Sequence, residues 1–376
     1  MDDRKNLITA LILSVIIITS WNFFIEKPKY DEYLTQKQIY DDQLETRITE
    51  EKANHETISS QKEIIKNSPR IDFENNDITG SINQNSGYLD ELTLRKYKIS
   101  KDSDENVQLL RKKLESESYF IDFGYITKSN QDINKVANWQ SNADNFRNGS
   151  VTLSKTTEQF FLERKITIQD KYLFKITDSI TNISKSSQEV KHYGLINRGF
   201  SLDSESFLIL HEGPISVIDN ELQEVTFKKL TKEDFNYKSV NGWTGFSDKY
   251  WLSAIIPNKS KSYNYNMYHY LKNDLDNRFQ TELSSNWYEI AQNQTTEFEY
   301  LIFAGPKELE LLDNYTVKYQ IPLFDRALDF GVLYFMTKPI SKALHFINNF
   351  VHNFGVTIII FTILLRLLLF PLADKS

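Results

Sequence analysis

Two long apolar runs lie near the ends of the chain, separated by a polar stretch and a block of alternating residues. The second run, Gly355 to Ala373, contains one full charge, Arg366. Its length of about 19 residues at about 1.5 Å each roughly matches a bilayer core, so the run predicts a membrane-spanning helix over residues 354–373. The first run, Leu7 to Phe24, has no charge and predicts a second span.

A cleaved signal peptide is the alternative interpretation of the first run. Its apolar stretch is longer than the usual segment of about 7 to 15 residues, and bulky residues from Trp21 to Phe24 stand where a small-residue cleavage site is expected. We therefore interpret residues 1–25 as a retained anchor. Arg4 and Lys5 before this span, and Lys375 after the other, predict that both ends face the cytoplasm. In a bacterial inner membrane the intervening residues would lie in the periplasm.

Between the spans the pattern changes twice. Residues 26–69 are strongly polar and predict a flexible or partly helical tether. Residues 70–322 alternate apolar and polar positions between turn residues, which predicts a mainly antiparallel β-sandwich. The clearest hairpin is Lys165–Ile180, with a turn near Asp170.

Shorter stretches complete the prediction for this block. A helix is expected over Gly305–Tyr315, with Pro306 in its first turn. Further strand-like stretches are Phe207–Leu210, Val225–Phe227, Trp251–Ile256 and Phe298–Phe303.

An amphipathic helix is predicted in residues 323–353, just before the second span. Ile340, Leu344, Ile347 and Val351 recur at intervals of three or four and share one helical face. We expect this helix to lie in the membrane plane with its apolar side in the lipid. The alternative is an ordinary core helix of the soluble domain.

Composition narrows the classes of function. The net charge of -7 and the absence of a basic stripe argue against a nucleic-acid partner. The chain has no cysteine, and its 6 histidines lack the spacing of a metal site, so we expect neither a metal nor another cofactor. No catalytic motif stands out in the soluble block, and we expect no enzyme.

Arg366 carries the most information, because burying a guanidinium in hydrocarbon costs at least about 2.5–3.5 kcal/mol. Thr362 lies four residues earlier and therefore on the same helical face. One account has the Arg366 side chain reach the cytoplasmic headgroups. The other makes it the positive wall of a polar recess. The residues alone leave both accounts open.

The chain resembles the YidC-type membrane protein insertases, a family related to the mitochondrial Oxa and chloroplast Alb proteins. The strongest match is the block Asp329–Leu372, which looks like the family's interfacial helix followed by its first core membrane helix. Met1–Asn6, Gly242–Pro257 and Phe303–Lys307 are also similar.

The resemblance implies a periplasmic β-supersandwich flanked by transmembrane helices, and a hydrophilic groove in which an arginine meets incoming proteins. Arg366 matches that arginine, and Thr362 becomes a candidate groove neighbour. Implied partners are newly made membrane proteins, the lipid bilayer and, as a candidate, the Sec translocon. The family continues with more spans, so the chain is expected to be a truncated N-terminal fragment in which residues 374–376 form the cytoplasmic end. The alternatives are a membrane-anchored periplasmic carbohydrate-binding sandwich and a two-span sensor.

Overall fold

The computed structural model describes residues 68–373 apart from 113–116, 129–132, 134–138, 148, 200–210, 260, 273–275 and 332–333. The predicted first span, Leu7 to Phe24, and nearly all of the predicted tether lie outside the described residues. The same holds for the predicted strand Phe207–Leu210.

Strands dominate the described part of residues 70–322. In chain order they are β1 (Arg70–Glu74), β2 (Ile78–Asn83), β3 (Tyr88–Lys98), β4 (Asn106–Leu110), β5 (Tyr119–Thr127), β6 (Gln140–Ser141), β7 (Asn145–Arg147), β8 (Ser150–Thr156), β9 (Phe160–Asp170), β10 (Leu173–Asn182), β11 (Gln188–Gly199), β12 (Gly213–Ile218), β13 (Glu221–Glu224), β14 (Phe235–Ser239), β15 (Gly242–Ser247), β16 (Trp251–Pro257), β17 (Tyr263–Lys272), β18 (Asp276–Ser285), β19 (Tyr288–Ile290) and β20 (Thr295–Pro306).

These strands form two sheets. Sheet A has 11 strands among the described residues, in the order β14-β17-β18-β11-β5-β3-β2-β1-β7, with β4 beside β3 and β19 beside β11. Sheet B has 9 in the described part, in the order β13-β12-β15-β16-β20-β10-β9-β8-β6. The pairing is antiparallel except between β1 and β7. The mainly β, antiparallel architecture predicted for this block is thus confirmed.

The core lies between the two sheets. Inward side chains alternate with outward ones along each strand, as in β10, where every second residue from Phe174 is buried. Aromatic rings join the sheets; those of Phe123 on β5 and Tyr300 on β20 have centroids 5.0 Å apart. Hydroxyls of Thr244 on β15 and Thr281 on β18 also meet across the core.

The predicted hairpin is confirmed. β9 and β10 pair with Ile166 opposite Ile176 and Ile168 opposite Phe174, and the chain turns at Lys171 and Tyr172. The predicted strands at 251–256 and 298–303 are also confirmed, within β16 and β20.

Two further predictions need correction: the strand Val225–Phe227 is wrong, and the helix predicted at Gly305–Tyr315 is present but begins later. Thr226, placed in a strand, instead caps the short helix α1 (Phe227–Leu230), and its side-chain oxygen accepts a hydrogen bond from the Lys229 amide. This cap and the burial of Phe227 and Leu230 three residues apart favour one helical turn.

The helix expected from residue 305 begins later, because β20 continues through Pro306. Trp251 of β16 pairs with Pro306, and the Lys307 amide donates to the Tyr250 carbonyl at 2.8 Å, which keeps the chain extended. The helix α2 therefore spans Leu309–Lys318.

Three helical segments follow α2. They are a 3₁₀ helix (Phe324–Ala327), α3 (Tyr334–Val351) and α4 (Phe354–Ala373). In α4 the side chains are described as far as Phe370. Among the residues whose side chains are described, no helix is long and apolar enough to cross a membrane.

Candidate functional site on the last two helices

Helices α3 and α4 expose a large apolar surface, in contrast to the sandwich. Phe346 and Phe350 of α3 are 64% and 73% exposed, and Leu368 of α4 is 72% exposed. Soluble monomers rarely expose contiguous apolar surface on this scale, and its presence marks contact with a membrane or another protein. Other exposed apolar residues of the two helices are Phe335, Met336, Ile340, Phe354, Val356, Ile358, Ile359, Ile363, Leu364, Leu365, Leu367, Leu369 and Phe370.

The stripe of α3 predicted from the sequence is only partly the exposed one. Ile340 is exposed, whereas Leu344, Ile347 and Val351 are half-buried. The phenylalanines that lie beside this stripe are the most exposed apolar residues of the helix.

A polar cluster attaches the beginning of α3 to the β domain. The ammonium of Lys338 contacts Asp313 of α2 at 2.8 Å and Asp325 of the 3₁₀ helix, and the hydroxyl of Tyr334 donates to Asp325. Lys342 also pairs with Asp313. Burial alone would lower the pKa of Lys338, but its hydrogen bonds to the two carboxylates outweigh that effect and raise it.

The turn between α3 and α4 fixes which face of α4 points at α3. His352 adopts a left-handed backbone conformation (φ 53°). The Asn353 side chain then accepts from the amide of Val356, capping α4. Thr357 is fully buried, and its hydroxyl donates to the Asn348 side chain at 3.3 Å.

Thr362 and Arg366 share the face of α4 opposite to Thr357. Nine residues separate Thr357 from Arg366, which at about 100° per residue is about half a turn. Both Thr362 and Arg366 are exposed. The Thr362 hydroxyl donates to the Ile358 carbonyl at 2.7 Å, and Arg366 makes no hydrogen bond or ion pair with any residue that the structure describes.

The structure therefore places the two predicted site residues one turn apart on an outward face, and brings no further polar side chain of the described residues to them. Sequence reasoning missed the clusters around Lys338 and Thr357. Lys338, Lys342 and Asn348 appeared in the sequence only as the polar side of an amphipathic helix. Asp313 and Asp325, the partners of the two lysines, precede that helix, and Thr357, the partner of Asn348, follows it. No local pattern pairs these residues with the helix.

Comparison with known proteins gives consistent matches. A family model described as the YidC periplasmic domain matches residues 70–343. The membrane protein insertase YidC of Rickettsia bellii is 34% identical over 387 residues, covering 99% of this chain and 67% of that protein. The protein of the same name from Rickettsia massiliae is 35% identical over 393 residues, with the same coverage.

Solved structures give more distant matches. A galactose mutarotase-like protein from Lactobacillus casei is 9% identical, with a TM-score of 0.45 over 63% of this chain and 100% of that chain. An active YidC insertase with its first transmembrane domain resolved is 12% identical, with a TM-score of 0.35 over 82% of this chain and 56% of that chain.

Proposed function

The chain belongs to the YidC family of membrane protein insertases, and on that premise we propose how its last two helices take part in insertion. Because members of this family insert membrane proteins, the substrates are membrane proteins and the protein works in contact with the lipid bilayer. Neither the sensor nor the anchored carbohydrate-binding protein is favoured by the relatives, which are named as insertases rather than as enzymes.

The apolar surface of α3 and α4 supports a specific placement in the membrane. In our proposal α4 crosses the bilayer, while α3 lies at its outer surface with Phe346 and Phe350 in the lipid. The run Leu7 to Phe24 supplies the other crossing, so the β domain is periplasmic and both ends are cytoplasmic. For the β domain we propose the β-supersandwich form, and we keep the Sec translocon as a candidate partner.

The orientation of Arg366 is the observation on which the proposed mechanism depends. Because Thr357 holds the opposite face of α4 against α3, Arg366 and Thr362 point away from α3. In the family's hydrophilic groove this face would meet the polar tail of an incoming protein. A fixed positive charge there attracts acidic residues of the tail, and a hydrated recess shortens the low-dielectric path that the tail crosses.

The chemistry of this step is binding and release. The substrate's apolar helix leaves sideways into the lipid, driven by burial of its own surface. In our proposal no covalent bond is made or broken, and the step uses neither a metal nor another cofactor.

Replacement of the groove arginine tests this mechanism. Arg366→Ala, in cells that depend on this protein, should reduce insertion of substrates with acidic translocated tails about tenfold. A pair of unit charges about 12 Å apart at an effective dielectric constant of about 20 interacts by roughly 1.4 kcal/mol, which corresponds to that factor. The measurement is protease protection of pulse-labelled substrates.

Two further variants make the result specific. Arg366→Lys retains the charge and should keep most of the insertion activity. Thr357→Ala changes the buried face and should affect acidic and neutral tails equally. Equal loss for acidic and neutral tails in Arg366→Ala would contradict the groove role.

A further inference from the structure

A pocket of about 770 Å³ opens at one end of the β-sandwich, where β3 and β20 end and β16 begins. Leu328 lines it, six residues before α3 begins at Tyr334. The pocket therefore lies beside the segment that leads into the helix placed at the membrane surface. It is separate from the face of α4 that carries Arg366.

The floor of the pocket is aromatic. The half-buried ring of Trp251 meets Tyr97 edge to face, with centroids 5.2 Å apart. Tyr250 also meets the Trp251 ring edge to face, with a centroid distance of 6.2 Å. Rings of this kind, which have an apolar body and a polar tip, favour the boundary between lipid and water.

The wall of the pocket is cationic. Its lining includes Lys98, Arg111, Lys249 and Lys307, against one carboxylate, Glu308. That carboxylate is engaged, because it accepts a hydrogen bond from the Tyr97 hydroxyl.

The four cations differ in how they are held. The Lys307 ammonium donates to the Ser247 hydroxyl at 2.9 Å, and the Lys98 ammonium donates to the Asp104 carbonyl. Lys249 lies 4.9 Å from the centre of the Tyr250 ring, and Arg111 pairs with the largely exposed Glu117. The contacts of Lys98 and Arg111 are exposed, so they contribute little free energy and exchange readily for a stronger anion.

The rim presents apolar side chains next to these cations. Ile99 is 62% exposed and follows Lys98, and Tyr250 is 57% exposed and follows Lys249. These residues come from two different turns at the same end of the sandwich. Apolar tips flanked by lysines suit insertion into the lipid headgroup layer, where a lysine keeps its charge in water.

We propose that this pocket binds the phosphate headgroup of an anionic phospholipid on the outer surface of the membrane. Lys98, Arg111 and Lys249 surround the phosphate, while Trp251 and Tyr250 lie against the glycerol backbone. The inference rests on the proposed function in one respect, since that function places this end of the domain near the bilayer. The lipid contact would hold the β domain at a fixed height above α3.

Lipid binding by the purified full chain tests this site. Native mass spectrometry counts bound phosphatidylglycerol or phosphatidylcholine during titration in detergent. Each basic residue near an anionic surface contributes about fivefold to binding. The variant Lys98→Gln/Arg111→Gln/Lys249→Gln should therefore lose most of the preference for phosphatidylglycerol, with a change of on the order of 100-fold at the occupied site.

A matched control removes three lysines at the other end of the sandwich. The two ends are defined by β10: Leu173, paired with Phe303, lies at the pocket end, and Asn182 lies at the far end. Lys185 comes three residues after Asn182. The variant Lys128→Gln/Lys185→Gln/Lys191→Gln should keep the wild-type preference.

Several results would overturn the proposal. One is an unchanged preference in the pocket variant, and another is an equal loss in the control. Displacement of the lipid by an equimolar amount of soluble glycerophosphoglycerol would assign the pocket to a free phosphate ester instead. Insertion is measured separately with the Arg366 variants, so failure of the pocket proposal leaves the insertase mechanism to its own test.

Discussion

A fully buried polar cluster joins the two sheets at the level of single residues. Arg164 on β9 donates from Nε and Nη2 to the two carboxylate oxygens of Asp178 on β10, at 2.7 Å each. The same guanidinium donates to the carbonyl of Phe123 on β5, in the other sheet, at 2.7 Å. His192 on β11 contacts Asp178 through Nε2 at 2.9 Å and the hydroxyl of Tyr300 through Nδ1 at 2.7 Å. Every member is satisfied, which offsets the cost of burying the charges.

The environment sets the charge of each group in this cluster. Burial alone would raise the pKa of Asp178, but Arg164 and the hydrogen bond from His192 hold it at about 2. Burial lowers the pKa of His192, and this effect exceeds the opposite effect of Asp178, so the pKa of His192 lies below its ordinary value. A neutral imidazole fits the contacts, because Nε2–H can donate to Asp178 while Nδ1 accepts from Tyr300.

The buried histidine predicts a dependence of stability on pH. Since the folded-state pKa of His192 lies below the ordinary 6.5, the unfolded state binds more protons as the pH falls through 6.5, and stability is lost. His192→Gln should reduce the loss of unfolding free energy between pH 7.5 and 5.0 by up to about 2 kcal/mol, at about 1.36 kcal/mol per pH unit below 6.5. Chemical denaturation of the full chain at both pH values measures this.

A second histidine provides the control. His269, hydrogen-bonded to Asn277 and only partly buried, also has a pKa lowered by burial, so His269→Gln should produce a smaller change. A His192→Gln protein that loses as much stability on acidification as the wild type would contradict the assignment.

This cluster also shows where sequence patterns stop being informative. Arg164 and Asp178 occupy alternating positions of the predicted hairpin and are direct partners across it. Alternation places both on the apolar face of the hairpin, in phase with Ile166 and Ile176, where an unpaired charge would be costly. The hairpin sequence cannot name the partners that satisfy these charges, because His192 and the Phe123 carbonyl come from the other sheet.

At the scale of elements, α3 is attached to the β domain chiefly through its first turns. Lys338 contacts two carboxylates and the Tyr334 hydroxyl, and is 20% exposed. The ring of Tyr334 also lies against the Arg326 guanidinium, 3.4 Å from its centroid. The rest of α3 exposes its phenylalanines. Position and tilt of this helix are thus determined mainly at its beginning.

Loss of Lys338 should therefore loosen the beginning of α3. Lys338→Met leaves the carboxylate of Asp325, which is nearly buried, with a weaker set of partners, at a cost of about 1–3 kcal/mol. Hydrogen exchange of the amides in residues 334–343 should accelerate about tenfold or more, while exchange in β9 and β10 stays unchanged.

Lys342→Met is the matched control for this prediction. Lys342 is 55% exposed and pairs only with Asp313 among the described carboxylates, so its removal should cost less than about 1 kcal/mol. Equal acceleration in the two variants, or none in Lys338→Met, would show that α3 is held by other contacts.

Elements were predictable where periodicity and length agreed. The hairpin of β9 and β10 follows from strict alternation on both sides of a turn, and the bounds of α4 follow from an apolar run that only Arg366 interrupts. The pattern failed where a side chain or a strand partner decided the outcome. Thr226 forms a helix cap in place of a strand position, and pairing with β16 keeps Pro306 in a strand.

On the scale of the whole molecule, the described residues divide into a closed sandwich and an open helical pair. The sandwich buries its aromatic residues between two sheets, whereas α3 and α4 turn most of theirs outward. A protein with both kinds of surface is suited to water around its β domain and to an apolar environment around its last two helices. The sequence predicted this division from the apolar runs, but not the polar contacts of Lys338 and Thr357 that join the two parts.

The proposed orientation predicts which positions a membrane-impermeant reagent can reach. The chain has no cysteine, so single cysteines introduced by mutation are unambiguous labels. Ile183 lies 42% exposed at the far end of the sandwich. With a periplasmic domain, Ile183→Cys should react with a charged maleimide in intact spheroplasts, because the reagent reaches the outer side of the membrane.

Cysteines at the two chain ends complete this test of topology. Asp3→Cys and Lys375→Cys should react only after the membrane is permeabilised, since both ends are proposed to be cytoplasmic. Labelling of either end in intact spheroplasts would refute that crossing, and protection of Ile183→Cys would place the β domain on the inner side. Each of the three cysteines reports the side of the membrane on which its own position lies. An error in one predicted membrane crossing is therefore identified independently of the other crossing. The proposed groove role of Arg366 depends only on the crossing by α4, which the label at Lys375→Cys tests.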